Sequence, residues 1–198
     1  MKERIFINHA IQQTELEEYL RIQFALAKHG DIEVQYTPVG IRIIIHTITP
    51  GLVIGSGGER IREAVEEIKK KFGIDNPQID VQKIEKPFLD PKIIAQQIAD
   101  AIEKGVNFKR IGTYYLSKIM ESGAVGCEIK LSGKIGGARG RTERFNAGYL
   151  KKCGDPAFKD VLKGFTVASP KLGSIGITVK IMVVPPKSVV KAIERGTV

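Results

Sequence analysis

Three stretches of this chain combine residue types and spacings that could do chemistry, and in each the chemistry is anion binding rather than bond breaking. The first is Ile54-Gly55-Ser56-Gly57-Gly58-Glu59-Arg60-Ile61, an I-G-x-x-G-x-x-I pattern with a strand-like run before it and a helical run after it. Gly55, Ser56, Gly57 and Gly58 leave a turn without bulky side chains. A nucleic-acid backbone can therefore lie against the main chain, held by N–H groups at the mouth of the next helix. Arg60 and Arg62 follow, available to phosphates. Other G-x-x-G spacings occur, at Gly123–Gly126, Gly133–Gly136, Gly137–Gly140 and Gly173–Gly176, but none has Ile on both sides at these offsets. The second stretch, Gly133 to Arg144, sets Lys134, Arg139, Arg141 and Arg144 among glycines between two strand-like runs. Guanidinium groups offer forked donors and a permanent charge, which suits phosphate. The segment lacks the Lys-Ser/Thr ending of a nucleoside-triphosphate loop. The third is Lys109 and Arg110 at the start of a helical run that also carries Lys118, Phe108, Tyr114 and Tyr115. Bland alternatives stand beside each: a glycine turn, a solvated hairpin loop, and tyrosines that simply fill a core.

Catalysis finds little footing. His9, His29 and His46 are far apart, without metal-ligand spacing or an H-E-x-x-H pattern. Glu63, Glu66 and Glu67 share a charged helix face with Lys69 to Lys71, where ion pairing is the simpler account. Nothing resembles a nucleophile elbow. The expectation is a protein that is not an enzyme and carries no metal or cofactor.

The elements that must position these residues follow from periodicity and punctuation. Thr14-x-x-Glu17 predicts a capping box opening a helix from about Glu15 to His29, with Leu16, Leu20, Phe24 and Ala27 on one face and Gly30 as its stop. Strands are predicted over Asp31–Thr37 and Ile41–Ile48, joined by a turn at Pro38 to Gly40, and Pro50-Gly51 punctuates. Beyond the glycine loop, Ile61, Ala64 or Val65, Ile68 and Phe72 mark a helix that Gly73 ends, and Gln78–Ile84 reads as a third strand. Asp90-Pro91 looks like an N-cap followed by proline at the first helical position, opening a helix to about Lys104. A further helix is predicted over Phe108–Ser122. The pattern then turns to strands at Cys127–Leu131, Thr142–Lys151, Val161–Ala168 and Ile175–Val184, and the tail from Pro185 is left unassigned. The predicted class is α+β: residues 1–85 form one domain and 86–198 another, of helices packed on a mainly antiparallel sheet.

With 198 residues, 42% of them apolar, the chain can build cores for one large or two small domains. No run is long and apolar enough to predict a membrane span, and the start of the chain does not read as a signal peptide. Two cysteines are too few for a disulfide framework, so reduced thiols in a cytoplasm are expected. The net charge of +9 is unevenly spread. Residues 1–85 hold 11 Lys/Arg against 13 Asp/Glu, whereas 86–198 hold 20 against 9. A skew of that size points the second half toward a polyanion, and nucleic acid is the expected partner.

Read with its glycine loop, the first domain resembles a KH domain, and its leading helix resembles the type II variant. The resemblance implies a clamp on about four nucleotides of single-stranded nucleic acid. KH loops usually carry a basic residue between the glycines; here Ser56 and Gly57 take those places, so less charge is available. The whole chain resembles the universal small-subunit ribosomal protein S three family, of the archaeal and eukaryotic kind. The residues that carry this are Glu121 to Lys134, Ala138-Arg139-Gly140-Arg141, Gly148-Tyr149, Cys153-Gly154-Asp155-Pro156, and Leu172-Gly173-x-x-Gly176-Ile177-x-Val179-Lys180-Ile181-Met182. The family implies binding to ribosomal RNA in the head of the small subunit, beside the mRNA entrance channel, with neighbouring small-subunit proteins and no membrane as context. It also implies that basic residues on the helix before the Gly-Cys-Glu strand contact incoming mRNA. Lys109 and Arg110 match two of those positions, and Thr113 stands at a third that is basic in bacterial relatives. Eukaryotic relatives imply one alternative, a DNA-repair lyase or endonuclease activity, to which no residue here is assigned.

Overall fold

The computed structural model describes residues 2–37, 40–74, 77–171 and 173–184, without the side chains of 2, 3, 5, 6, 8, 9 and 26. The turn expected at Pro38 and the tail from Pro185 lie outside the described residues. Contacts divide the chain into two units, Met1–Glu85 and Lys86–Val198.

In the first unit α1 spans Lys2–Gln23, β1 His29–Thr37, β2 Gly40–Thr47, α2 Pro50–Ile54, α3 Glu59–Phe72 and β3 Gln78–Lys83. Two expectations are corrected here. The first helix does not open at Thr14, whose hydroxyl donates back to the Ala10 carbonyl at 2.9 Å inside a continuous helix. It also ends before Gly30: the chain leaves a short 3₁₀ turn at Lys28, which adopts the left-handed φ of 49°. The face Leu16, Leu20, Phe24 and Ala27 is buried as its spacing requires, against Ile32, Ile43, Ile45, Val53, Ala64 and Ile68. Each fully buried aliphatic side chain there is worth roughly 1.5–3 kcal/mol.

The sheet order is β1-β2-β3, with β1 antiparallel and β3 parallel to β2. Parallel neighbours need a crossover, and α2, the glycine turn and α3 supply it. Outside the pairing, Arg42 grips the Asp80 carboxylate across the parallel pair, with Nε 2.6 Å from Oδ2.

In the second unit α4 spans Pro91–Glu103, α5 Phe108–Glu121, β4 Gly126–Gly133, β5 Arg141–Gly148, α6 Pro156–Lys159, β6 Val161–Ala168 and β7 Ile175–Met182. The Asp90 cap forms as read: its carboxylate accepts from the Lys92 and Ile93 amides at 2.9 and 3.5 Å. The sheet is antiparallel throughout, in the order β5-β4-β7-β6. Helices α4 and α5 lie on one face, where Ile94, Ile98, Ile119, Ile129, Leu131, Ile177 and Val179 are fully buried. Two glycines allow that approach. A Cβ at Gly164 would stand 2.3 Å from the Pro91 carbonyl carbon, and one at Gly112 would stand 2.6 Å from the Phe145 ring.

Candidate nucleic-acid interface

The glycine turn follows α2, not a strand directly. Pro50 occupies the first helical position and Val53 is fully buried, which anchors this five-residue helix on the core. Thr47 and Thr49 tie its entry to the first-helix corner, since both hydroxyls donate to the Ala27 carbonyl, at 2.7 and 3.3 Å. Gly55, Gly57 and Gly58 all have positive φ, of 73°, 58° and 79°. An L side chain is strained there. Around Gly57 and Gly58 an added Cβ would meet nothing within 4 Å, so the turn is open to an approaching backbone. Gly58 is the N-cap of α3, and no side chain caps that end. Unsatisfied first-turn amides are suited to phosphate oxygens.

The two arginines of this region differ. Arg60 folds back, donating from Nη1 to the Leu52 carbonyl at 3.0 Å, and its stem fills the space a Gly55 side chain would need. It braces α2 against α3 with only part of its guanidinium left for a ligand. Arg62 is exposed on α3. Glu59 in the first turn opposes an anion, and Lys70 and Lys71 pair with Glu66 and Glu67 one turn back.

Lys109 and Arg110 are exposed in the first turn of α5. Asn107 caps that turn, accepting from the Lys109 amide at 3.0 Å. Neither cation has a carboxylate partner among the described residues, and the turn carries no acidic residue. Cations at a helix N-terminus oppose the macrodipole, so folding alone does not account for them. Thr113 turns inward on its own helix, donating to the Lys109 carbonyl at 3.0 Å. Lys118 is held by Glu121 at 2.9 Å, and that partnership pushes its pKa up. Tyr115 is half-buried and meets Tyr114 edge-on at 5.3 Å, and burial pushes its hydroxyl pKa up; Tyr114 itself is 54% exposed.

The arginine-rich segment separates into loop and strand. Lys134 and Arg139 are on the β4–β5 loop, anchored by buried Ile135. Arg141 and Arg144 are on β5 instead of in the loop. Three positions apart on a strand, they face opposite sides of the sheet. Arg141 pairs with Glu143 at 3.8 Å, and Arg144 stands beside Lys130 in register. The loop meets the start of α5: a Cβ at Gly136 would lie 3.7 Å from the Phe108 ring. Between them is an open cavity of about 620 Å³ whose lining includes Phe108, Lys134, Lys104 and Lys171. Folding thus brings Phe108, at the start of α5, against the loop that carries Lys134, a juxtaposition that sequence spacing did not indicate.

Among the described residues no three His, Cys, Asp or Glu side chains gather as metal ligands, and no helix is long and apolar enough to cross a membrane. Cys127 is buried and Cys153 exposed.

The family description "KH domain" matches residues 15–89, and "Ribosomal protein S3, C-terminal domain" matches 98–181. Similar curated proteins include the "Small ribosomal subunit protein uS3" of Methanocaldococcus jannaschii, 43% identical over 92% of this chain and 88% of that one. The protein of the same name from Methanothermobacter thermautotrophicus is 40% identical over 94% of this chain and 71% of its own. That of Haloarcula marismortui is 43% identical over 94% of this chain, which spans only 60% of it. These relatives are named as ribosomal proteins, not as enzymes. With an antiparallel–parallel three-stranded KH unit followed by a helix-backed antiparallel sheet, the chain belongs to the uS3 family of small-ribosomal-subunit proteins.

Proposed function

We propose that the chain is a non-catalytic component of the small ribosomal subunit in the cytoplasm, binding ribosomal RNA among neighbouring subunit proteins and guiding mRNA at its entrance channel. The observation that carries this is the exposed first turn of α5, where Lys109 and Arg110 are held against the dipole without an acidic residue in the turn. In this reading the glycine turn Gly55 to Gly58, with Arg62 and part of Arg60, makes one local backbone contact. Arg139, Arg141 and Arg144 add phosphate contacts on ribosomal RNA. The lyase alternative would require a lysine amine desolvated into a nucleophile, and among the described residues no lysine is buried. Sedimentation tests the proposal. The tagged chain is expected to travel with small subunits through moderate salt and to crosslink to mRNA downstream of the decoding site. A chain found only at the top of the gradient would sink it.

A further inference from the structure

The second unit's sheet has a second face. Helices α4 and α5 both cover the side bearing Ile129, Leu131 and Val179. The opposite side carries Arg144, Lys130, Thr178 and Phe165 in one row across β5, β4, β7 and β6, as the register dictates. The adjacent row places Glu128, Lys180 and Lys163 side by side. Phe165 is 64% exposed and shares this side of β6 with Val167, 49% exposed two residues on. Its neighbour in the next row is Gly176, where an added Cβ would sit 3.6 Å from the ring. No side chain from that position walls the ring off.

Beside the ring lies a recess of about 200 Å³ lined by Glu128, Lys130, Arg144, Lys152, Thr178 and Lys180. Its one carboxylate, on the buried Glu128, pairs with Lys152 at 3.5 Å. Lys130, Arg144, Lys163 and Lys180 have no carboxylate partner among the described residues. Lys130 and Phe165 are two strand spacings apart, roughly 10 Å.

We propose that this open sheet face is a separate RNA platform, taking a phosphate of a single-stranded segment in the recess formed by Lys130, Arg144 and Lys180 and stacking a base on Phe165. Flanking cations and an aromatic ring on an open sheet are the two parts that single-strand recognition needs, because every base has a π-face and every linkage a charge. The core of a protein interface is depleted in lysine, whereas Lys130, Lys163 and Lys180 share this face with Phe165. The proposal rests on the reading of the chain as an RNA binder, and it adds a site on the opposite side of the sheet from the helices.

Anisotropy with a labelled oligouridylate, read over a salt series on the full chain, tests it. Phe165→Ala is expected to weaken binding about 5- to 150-fold with little change in salt slope, as loss of one stacked base would. Phe165→Tyr should restore binding to within about twofold. Lys130→Gln with Lys180→Gln should lower the salt slope by about 0.7, the share of the one phosphate held in the recess. If Phe165→Ala binds as the parent does while Lys109→Ala with Arg110→Ala binds weakly, the sheet platform is wrong and the general reading stands. If the parent binds no RNA, both fail. If Phe165→Ala keeps RNA affinity but no longer enters subunits, the face serves a protein and the proposal is overturned.

Discussion

Replacing Lys109 and Arg110 by alanine should move binding and stability in opposite directions. Both side chains are exposed in the first turn of α5 with no carboxylate partner among the described residues. Each phosphate contact to a single strand contributes ~0.7 to the slope of log affinity against log salt. Losing two lowers the slope by about 1.4. The parent's advantage over the variant then shrinks about sevenfold between 50 and 200 mM salt. Stability runs the other way, because a cation at a helix N-terminus costs about 0.3–1 kcal/mol when exposed. The variant should melt no lower than the parent, and up to ~2 kcal/mol of stability is available to it. Nothing else in the turn is lost. The Asn107 cap and the Thr113 hydroxyl bond both use the backbone of Lys109, which the substitution keeps.

Anisotropy across a salt series and thermal melting by circular dichroism read the two effects separately. An unchanged slope would mean the two cations do not touch phosphate. A melting temperature lowered by several degrees would mean that they support the fold, and the argument from the dipole would be wrong. In assembled subunits the same variant should lose mRNA crosslinking more than incorporation, and equal loss of both would refute that division.

Gly57→Asp and Gly58→Asp should reduce RNA crosslinking at the glycine turn, since each adds a carboxylate where nothing lies within 4 Å. Gly58→Asn, which tolerates the left-handed φ of 79°, should melt within about 1 kcal/mol of the parent; unchanged crosslinking in both Asp variants contradicts the backbone contact. Gly112→Ala gains about 1 kcal/mol in helix propensity but presses on the Phe145 ring, an overpacking cost of about 1–3 kcal/mol. Denaturant melts should therefore show a net loss, relieved when Phe145→Leu is added, and a more stable single variant would refute the clash. A thiol-alkylating reagent near neutral pH should modify Cys153 and spare Cys127, whose thiol burial pushes up from 9.0 to about 11. Because that pKa is raised, the stability Cys127 contributes is complete below pH 9.0 and is lost as pH rises through about 11. Mass spectrometry of the folded chain reads the labelling, and modified Cys127 in still-folded protein would overturn it.

What the sequence reveals of this fold is mostly what is decided locally. Asp90-Pro91 is legible because a carboxylate two residues before an amide caps it whatever the rest of the chain does. The strand Val161–Ala168 is legible because its ends are marked by turn residues. Thr14 misleads for the same local reason. Thr-x-x-Glu has the composition of a cap, yet the helix continues through it, and the hydroxyl finds a carbonyl one turn back. Pro50-Gly51 reads as a break, but proline at the first position starts a helix too short for any periodicity to register. The order β5-β4-β7-β6 rests on pairings between distant residues, which no local signal encodes. The basic segment shows the consequence for the site: spacing groups Arg141 with Arg144, and the two-residue period of the strand sends them to opposite faces.

These placements also say which part of the chain can act at a distance. The first unit holds 11 basic and 13 acidic residues, and beside the turn Arg60 is partly committed to the Leu52 carbonyl while Glu59 offsets the charge of the exposed Arg62. On the proposed reading its turn works by shape and amide donors, in a contact that forms only after the strand has arrived. The second unit, with 20 basic residues against 9 acidic, keeps Lys109, Arg110, Lys130 and Lys180 without carboxylate partners among the described residues. A field of that kind draws a polyanion in from beyond contact range and is weakened by salt. On that same reading, capture belongs to the basic unit and local fitting to the glycine turn. The missing cation between Gly55 and Gly58 is consistent with that division, because a contact made late gains little from long-range charge.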